Sequence, residues 1–146
     1  MSIDFEQMTI DDFNNIKDIL GTEFDDYWDS QTLFEDLNSP TSYYIVAKIE
    51  NEIVGFAGIK IILDQAYIMN IVVKKSFRNQ GIGKLLLEHL ISIAETKKIT
   101  SIMLEVNENN LFAIKLYTSL GFETISIRKN YYNDKDGLIM KKSINN

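Results

Sequence analysis

The chain has 146 residues, of which 45% are hydrophobic and 25% charged, a composition typical of one soluble globular domain. It has no cysteine, which excludes disulfides and a thioester intermediate on the protein, and its single histidine argues against a conventional zinc site. The net charge of −6 argues against nucleic acid as the main partner, and no apolar run is long enough to span a membrane. We therefore expect one cytoplasmic domain over residues 1–146, without a metal, nucleic acid or membrane partner.

Acidic residues are unevenly distributed along the chain. Eleven of the 21 acidic residues lie in the first forty positions, where Lys17 is the one basic residue. Such a cluster is either a solvated helical surface or an acidic rim that attracts a cationic substrate.

The N-terminal residues predict a strand followed by a helix. Residues 2–8 alternate weakly between polar and apolar, and Asp11 or Asp12 can cap a helix that Gly21 weakens or ends. Apolar side chains recur on that helix at helical spacing, namely Phe13, Ile16, Ile19 and Leu20.

A second short helix is predicted from Asp29 or Ser30 to the Asn-Ser-Pro sequence at residues 38–40. Three aromatic residues precede it, namely Phe24, Tyr27 and Trp28. This aromatic cluster is either a hydrophobic clasp between the two helices or part of an acceptor pocket.

The middle of the chain predicts three strands. Residues 43–50 and 53–63 form a hairpin with its turn at Asn51-Glu52, and the mostly apolar residues 66–73 form a central strand. Gly55 and Gly58 predict bulges or a close approach of the backbone to a neighbour.

A long helix is predicted over residues 83–97, with an apolar stripe that includes Leu86, Leu90 and Ile93. His89 lies off that stripe and is expected to face solvent. A strand over residues 100–106 follows.

The remaining residues predict one more helix and two strands. The helix begins at Asn110 and ends before Gly121. Strands over residues 122–128 and 138–144 close the sheet, and the loop between them contains Asn130, Tyr131 and Tyr132.

Two glycines, Gly81 and Gly83, join the central strand to the long helix. Glycine allows positive φ and close approach of a ligand, and a helix N-terminus offers unpaired N–H groups to an anion. The segment is therefore either a tight turn or a phosphate site. It lacks the Gly-Lys-Ser/Thr ending of a P-loop and the three glycines of a dinucleotide fold.

The sequence around these glycines resembles the GNAT N-acetyltransferases, and among them the ribosomal-protein-alanine N-acetyltransferases. Their acetyl-CoA motif corresponds to Arg78-x-x-Gly81-x-Gly83, and the resemblance continues through Leu104-Glu105-Val106, Asn110, Ala113, Tyr117 and Gly121-Phe122. It implies an α/β GNAT fold, with a mixed, mainly antiparallel sheet of about seven strands and helices on both faces. It also implies that the two central strands splay apart around the thioester.

The resemblance implies a role for each site residue. Acetyl-CoA is expected to contact Ile71, Val72, Val73, Arg78, Asn79, Gln80, Gly81, Ile82, Gly83, Lys84, Asn110 and Tyr117. Glu105 is expected to be the base and Tyr117 the acid that protonates the leaving thiolate. Trp28, Tyr131 and Tyr132 are expected to bind the acceptor, the N-terminus of a basic ribosomal protein.

Two other functions stay open at this point. One is a GNAT enzyme that acetylates a small-molecule amine or a lysine. The other is a CoA-binding module without catalysis, which the presence of both Glu105 and Tyr117 disfavours.

Overall fold

The structure, a computed structural model, describes residues 2–24, 29–132 and 135–144. Within these ranges the strands are β1 (Asp4–Gln7), β2 (Ser42–Ile49), β3 (Glu52–Ile62), β4 (Gln65–Val73), β5 (Ser101–Asn107), β6 (Glu123–Tyr132) and β7 (Lys135–Ser143). The α-helices are α1 (Ile10–Ile16), α2 (Ser30–Leu37), α3 (Ile82–Thr96) and α4 (Leu111–Ser119). A π-helical turn spans Leu20–Phe24, and a 3-10 turn spans Lys75–Phe77.

The seven strands form one sheet in the order β1-β2-β3-β4-β5-β7-β6. All neighbouring strands are antiparallel except β4 and β5, which are parallel. The predicted mixed, mainly antiparallel sheet is therefore confirmed.

Helices cover both faces of this sheet. Val46 and Phe56 belong to one buried cluster with residues of α1 and α2, whereas their neighbours Ala47 and Ala57 belong to a second cluster with α3. Successive residues of a strand point to opposite faces. The two clusters therefore lie on opposite sides of the sheet, as predicted. Side chains of α4, including Leu116, pack against the α3 cluster.

The first helix begins earlier than predicted, because Thr9 rather than Asp11 or Asp12 is its N-cap. Asp12 Oδ2 accepts from the Thr9 N–H at 2.9 Å, and Thr9 Oγ1 accepts from the Asp12 N–H at 3.1 Å, which is a capping box. Asp12 also forms an ion pair with Lys48 at 3.0 Å. The α-helix ends at Ile16, well before Gly21, which lies in the π-helical turn.

Two connections also differ from the predictions. The β2–β3 turn is formed by Glu50 and Asn51, which both have positive φ, so the predicted turn is off by one residue. The predicted loop containing Asn130 and Tyr131 is part of strand β6. Asn130 has a φ of 55°, and the β6–β7 register is irregular between Arg128 and Tyr132, so the strand absorbs residues that resemble a loop in sequence.

Candidate active site

The central parallel strands separate soon after they begin. Only three residue pairs join β4 to β5, and the last is Tyr67 with Met103. Just beyond that pair, Gly58 of β3 pairs with Asn70 while Ile59 pairs with Ile68, which leaves Met69 as an extra residue on β4. A bulge bends its strand and interrupts pairing. The result is a splay between the C-terminal halves of β4 and β5.

The glycine segment places the N-terminus of α3 at this splay. Asn79 and Gly81 have φ values of 66° and 81°, and Gly81 is the N-cap of the helix. The Leu85 N–H group donates to the Gly81 carbonyl at 3.2 Å, and this is the first hydrogen bond of the helix. The N–H groups of residues 82–84 therefore come before the regular helical hydrogen bonds. The prediction of a turn is correct for Gly81. Gly83 lies inside the helix without positive φ, in agreement with the helix predicted from residue 83.

A cleft of about 550 Å³ lies between α3, the end of β4 and α4. Its lining includes eleven of the twelve predicted cofactor residues, namely Ile71, Val72, Val73, Arg78, Asn79, Gly81, Ile82, Gly83, Lys84, Asn110 and Tyr117. Gln80 is exposed and is not part of that lining. The sequence analysis missed Phe77, Phe112 and Leu116. Leu116 could have been found from its spacing of three residues from Ala113 on the predicted helix face.

Arg78 holds the glycine segment in place. Its Nε donates to the carbonyl of Val73 at 3.1 Å, and its Nη2 donates to the carbonyl of Phe24. The guanidinium therefore fastens the segment both to the end of β4 and to the π-helical turn on the other side of the sheet.

Asn110 and Tyr117 lie on the α4 side of the cleft. Asn110 is the N-cap of α4, and its Oδ1 accepts from the Ala113 N–H at 3.2 Å. The capping bond uses only the carbonyl oxygen of the amide group. The half-buried Tyr117 ring lies 5.9 Å from the Phe122 ring, centroid to centroid, in a tilted arrangement.

Glu105 lies on the opposite face of the sheet. Its neighbours Leu104 and Val106 are buried in the α3 cluster, so Glu105 points toward the face that carries α1 and α2. Its Oε1 forms an ion pair with Arg128 Nε at 3.3 Å. The Arg128 guanidinium also lies 4.9 Å from the centre of the Tyr131 ring. The structure thus brings two predicted residues, Glu105 and Tyr131, to one cationic side chain.

The other predicted acceptor residues are Trp28 and Tyr132. Trp28, with Tyr27, lies outside the described residues, as does the side chain of Tyr132. His89 is exposed, as expected, and its ring stacks on Phe5 with the centroids 4.0 Å apart.

Part of the acidic N-terminal charge is neutralised locally. Lys48 forms ion pairs with Glu6 and Asp12, and Lys74 forms ion pairs with Glu23 and Glu52. Further acidic residues of the α1–α2 region are exposed, namely Asp11, Asp18, Asp29 and Glu35. A negative surface therefore lies on the same side of the sheet as Glu105.

Comparison with known proteins identifies the class of this fold and site. Residues 13–122 match the acetyltransferase (GNAT) family. The chain is 37% identical over 134 residues to a ribosomal protein bS18-alanine N-acetyltransferase of Haemophilus ducreyi, covering 90% of each chain. It is 38% identical over 112 residues to that of Salmonella typhimurium, covering 75% of this chain and 74% of the relative.

A solved structure gives the same result. The crystal structure of the ribosomal-protein-S18-alanine N-acetyltransferase from Escherichia coli matches with a TM-score of 0.90 at 29% identity, over 99% of this chain and 96% of that one. The chain therefore belongs to the GNAT acetyltransferase family and is an acetyl-CoA-dependent N-acetyltransferase, as its sequence predicts. No helix in the described part of the chain is long and apolar enough to cross a membrane.

Proposed function

We propose that this enzyme transfers the acetyl group of acetyl-CoA to the α-amino group of an N-terminal alanine, on ribosomal protein bS18 or its equivalent in the cytoplasm. One observation carries the proposal. The cleft at the N-terminus of α3 lies on one face of the splayed sheet, while Glu105 lies on the other face. An acyl donor and an acceptor amine can therefore approach each other from opposite sides. The names of the relatives support the choice of acceptor.

The cofactor would bind along the cleft. Its pyrophosphate would accept hydrogen bonds from the N–H groups at the start of α3, where the helix dipole favours an anion. Its pantetheine amides would pair with the main chain of β4 at residues 71–73. This part of β4 is not paired with β5, because the pairing between the two strands ends at Tyr67. The remaining predicted cofactor residues, including Gln80 and Asn110, would surround this path.

The chemistry requires one bond to form and one to break. The neutral amine nitrogen attacks the thioester carbonyl, the C–N bond forms and the C–S bond breaks. The nitrogen releases one proton to water, which balances the proton that the thiolate gains. The amide forms in a ternary complex, since the chain has no cysteine to carry the acetyl group. Glu105 would take the proton of the incoming ammonium through water. Tyr117, which lines the cleft, would protonate the departing thiolate.

The acceptor side favours a basic N-terminal segment. An α-amino group has a pKa of about 7.7–8.0 and a lysine about 10.4, so at neutral pH far more of the α-amine is already neutral. A single half-exposed carboxylate such as Glu105 therefore suits an α-amine better than a lysine. Trp28, Tyr131 and Tyr132 would bind the peptide, and the exposed acidic residues would attract its basic side chains.

The test is acetylation of a basic peptide that begins with alanine and contains internal lysines. Tandem mass spectrometry should place the acetyl group on the α-amine, and the rate should fall as salt screens the acidic surface. Glu105→Gln is the matched control, and it should bind acetyl-CoA normally but turn over slowly. Label found mainly on lysine, or reaction with a small polyamine but no peptide, refutes the proposed acceptor. Binding of acetyl-CoA without any product refutes catalysis.

A further inference from the structure

A chain of polar side chains runs under the α2 side of the sheet and ends at Asn70. Tyr44 Oη donates to Asp36 Oδ2 at 3.0 Å, and Asn70 Nδ2 donates to Tyr44 Oη at 3.1 Å. Asn70 is 92% buried, with 8% of its surface exposed. Such a buried polar group requires a partner for each of its atoms.

Gly58 makes this chain of contacts possible. Tyr44 pairs with Gly58, and Gly58 pairs with Asn70, so the three residues lie side by side on adjacent strands. A Cβ at Gly58 would lie 2.4 Å from the Tyr44 ring. The absence of a side chain therefore lets the ring cross β3 and bring its hydroxyl group to Asn70.

The hydrogen-bond pattern fixes the orientation of the Asn70 amide. The Tyr44 hydroxyl has one proton, which it donates in a hydrogen bond to the Asp36 carboxylate, a group that can only accept at neutral pH. Burial, and then the nearby Asp36 carboxylate, raise the pKa of Tyr44, so the proton stays on the phenol. Asn70 must then present its NH₂ group to Tyr44. Its Oδ1 is left buried, without a hydrogen-bond partner among the described residues.

Asn70 lies level with Glu105 across the splay. Glu105 is two residues beyond Met103, the last paired residue of β5, and Asn70 is three beyond Tyr67, of which Met69 is the extra bulge residue. Both residues face the α1–α2 side of the sheet. The splay therefore has an acceptor oxygen on each of its two strands.

We propose that Asn70 positions the acceptor amine. Its Oδ1 accepts a hydrogen bond from one N–H group of the amine, while Glu105 accepts the proton that is removed. This inference rests on the proposed function. Asp36 and Tyr44 act only through Asn70, by holding its amide in the orientation that presents the oxygen. An amine bound between two acceptors directs its lone pair toward the thioester once the proton has left.

The test compares two peptides on wild type and Asn70→Leu, a substitution of similar size that removes the oxygen. One peptide begins with alanine, and the other is its des-amino form, with propionyl in place of alanine. Calorimetry in the presence of CoA should show about tenfold weaker binding of the alanine peptide to the variant, equal to about 1.4 kcal/mol. The des-amino peptide should bind both proteins equally. The melting temperature should change little, because losing the hydrogen bond from Asn70 to Tyr44 is offset by removing an unpaired buried oxygen.

A second variant guards against a folding defect. Tyr44→Phe removes only the hydroxyl that orients the amide, and it should weaken the alanine peptide about threefold while leaving acetyl-CoA affinity unchanged. If both peptides weaken equally, or if neither variant changes the affinity for the alanine peptide, Asn70 does not contact the amine. If wild type acetylates no α-amine at all, the proposed function fails and this inference with it.

Discussion

Gly83 offers a substitution whose effects on folding and on cofactor binding should have opposite signs. The residue lies in the first turn of α3 and lines the cleft, and a Cβ there would meet only Val73 Cγ2 at 3.7 Å, an ordinary contact. Gly83→Asp therefore fits the fold without strain. Gly81 is less suitable, because its φ of 81° penalises any side chain.

The magnitudes follow from the position of the new carboxylate. Replacing a helical glycine and adding an acid to the first turn should each stabilise the helix, together by about 0.5–1 kcal/mol, or about 2 °C in melting temperature. Against a phosphate about 6 Å away, two unit charges repel by about 3 kcal/mol at an effective dielectric constant of about 20, and by about 0.7 kcal/mol in water. Because Gly83 is half-buried, we expect an intermediate value and at least a tenfold loss of acetyl-CoA affinity.

Calorimetric titration with acetyl-CoA at two salt concentrations measures the loss directly. Gly83→Asn has the same shape without the charge, and it should lose less than about threefold. The deficit of the aspartate variant should shrink at high salt, because the repulsion is screened. Equal losses for the two variants would show a steric effect, and unchanged affinity in a folded Gly83→Asp protein would remove the phosphate site from the N-terminus of α3.

Two further predictions concern catalysis and stability. Glu105→Gln should lower kcat most at low pH, where the amine is protonated, with partial recovery at high pH. Tyr117→Phe should lower kcat below the pKa of the phenol and leave the affinity for acetyl-CoA unchanged. pH–rate profiles measure both effects, and near-normal rates in both variants would refute these roles. Burial raises the pKa of Asp12, but the Thr9 N–H and Lys48 lower it overall. The stabilising effect of the Asp12 carboxylate is therefore present at neutral pH and lost as pH falls through that lowered pKa. Asp12→Asn should lower the free energy of unfolding by about 1 kcal/mol at pH 7, measured by urea unfolding. A difference between the two proteins that persists in acid would contradict the capping role.

The architecture was predictable because its elements have local signals. The apolar stripe of α3, the asparagine that caps α4 and Gly81 at the strand–helix turn each act within a few residues. The same local reasoning failed where two residue types compete for one role. Thr9, not Asp12, caps α1, because in a capping box the N-cap residue lies three residues before the acidic residue whose side chain bonds back to it. At the two glycines the local signals were sufficient, because Gly81 adopts positive φ at the turn and Gly83 lies in the predicted helix.

The site itself depends on contacts that are distant in sequence. The splay follows from a single extra residue, Met69, whose position depends on which residues of β3 and β4 pair. The ion pair of Glu105 with Arg128 joins two strands that are separated by β7 in the sheet. No periodicity reports such a register or such a pair. The position of the bulge and the Glu105–Arg128 ion pair are therefore visible only in the folded chain. The splay itself was expected, but only from the resemblance to the GNAT family.

The irregular outer strand β6 has a consequence for how the molecule behaves among its own copies. A sheet's outermost strand presents unpaired N–H and C=O groups that can extend the ladder into a neighbouring chain. In β6 an extra residue, Ile125, and the irregular stretch after Arg128 break the regular spacing of those groups. At the opposite edge, β1 has only four residues. Both margins are thus poor templates for intermolecular β-pairing, and deleting Ile125 would make one of them a better template.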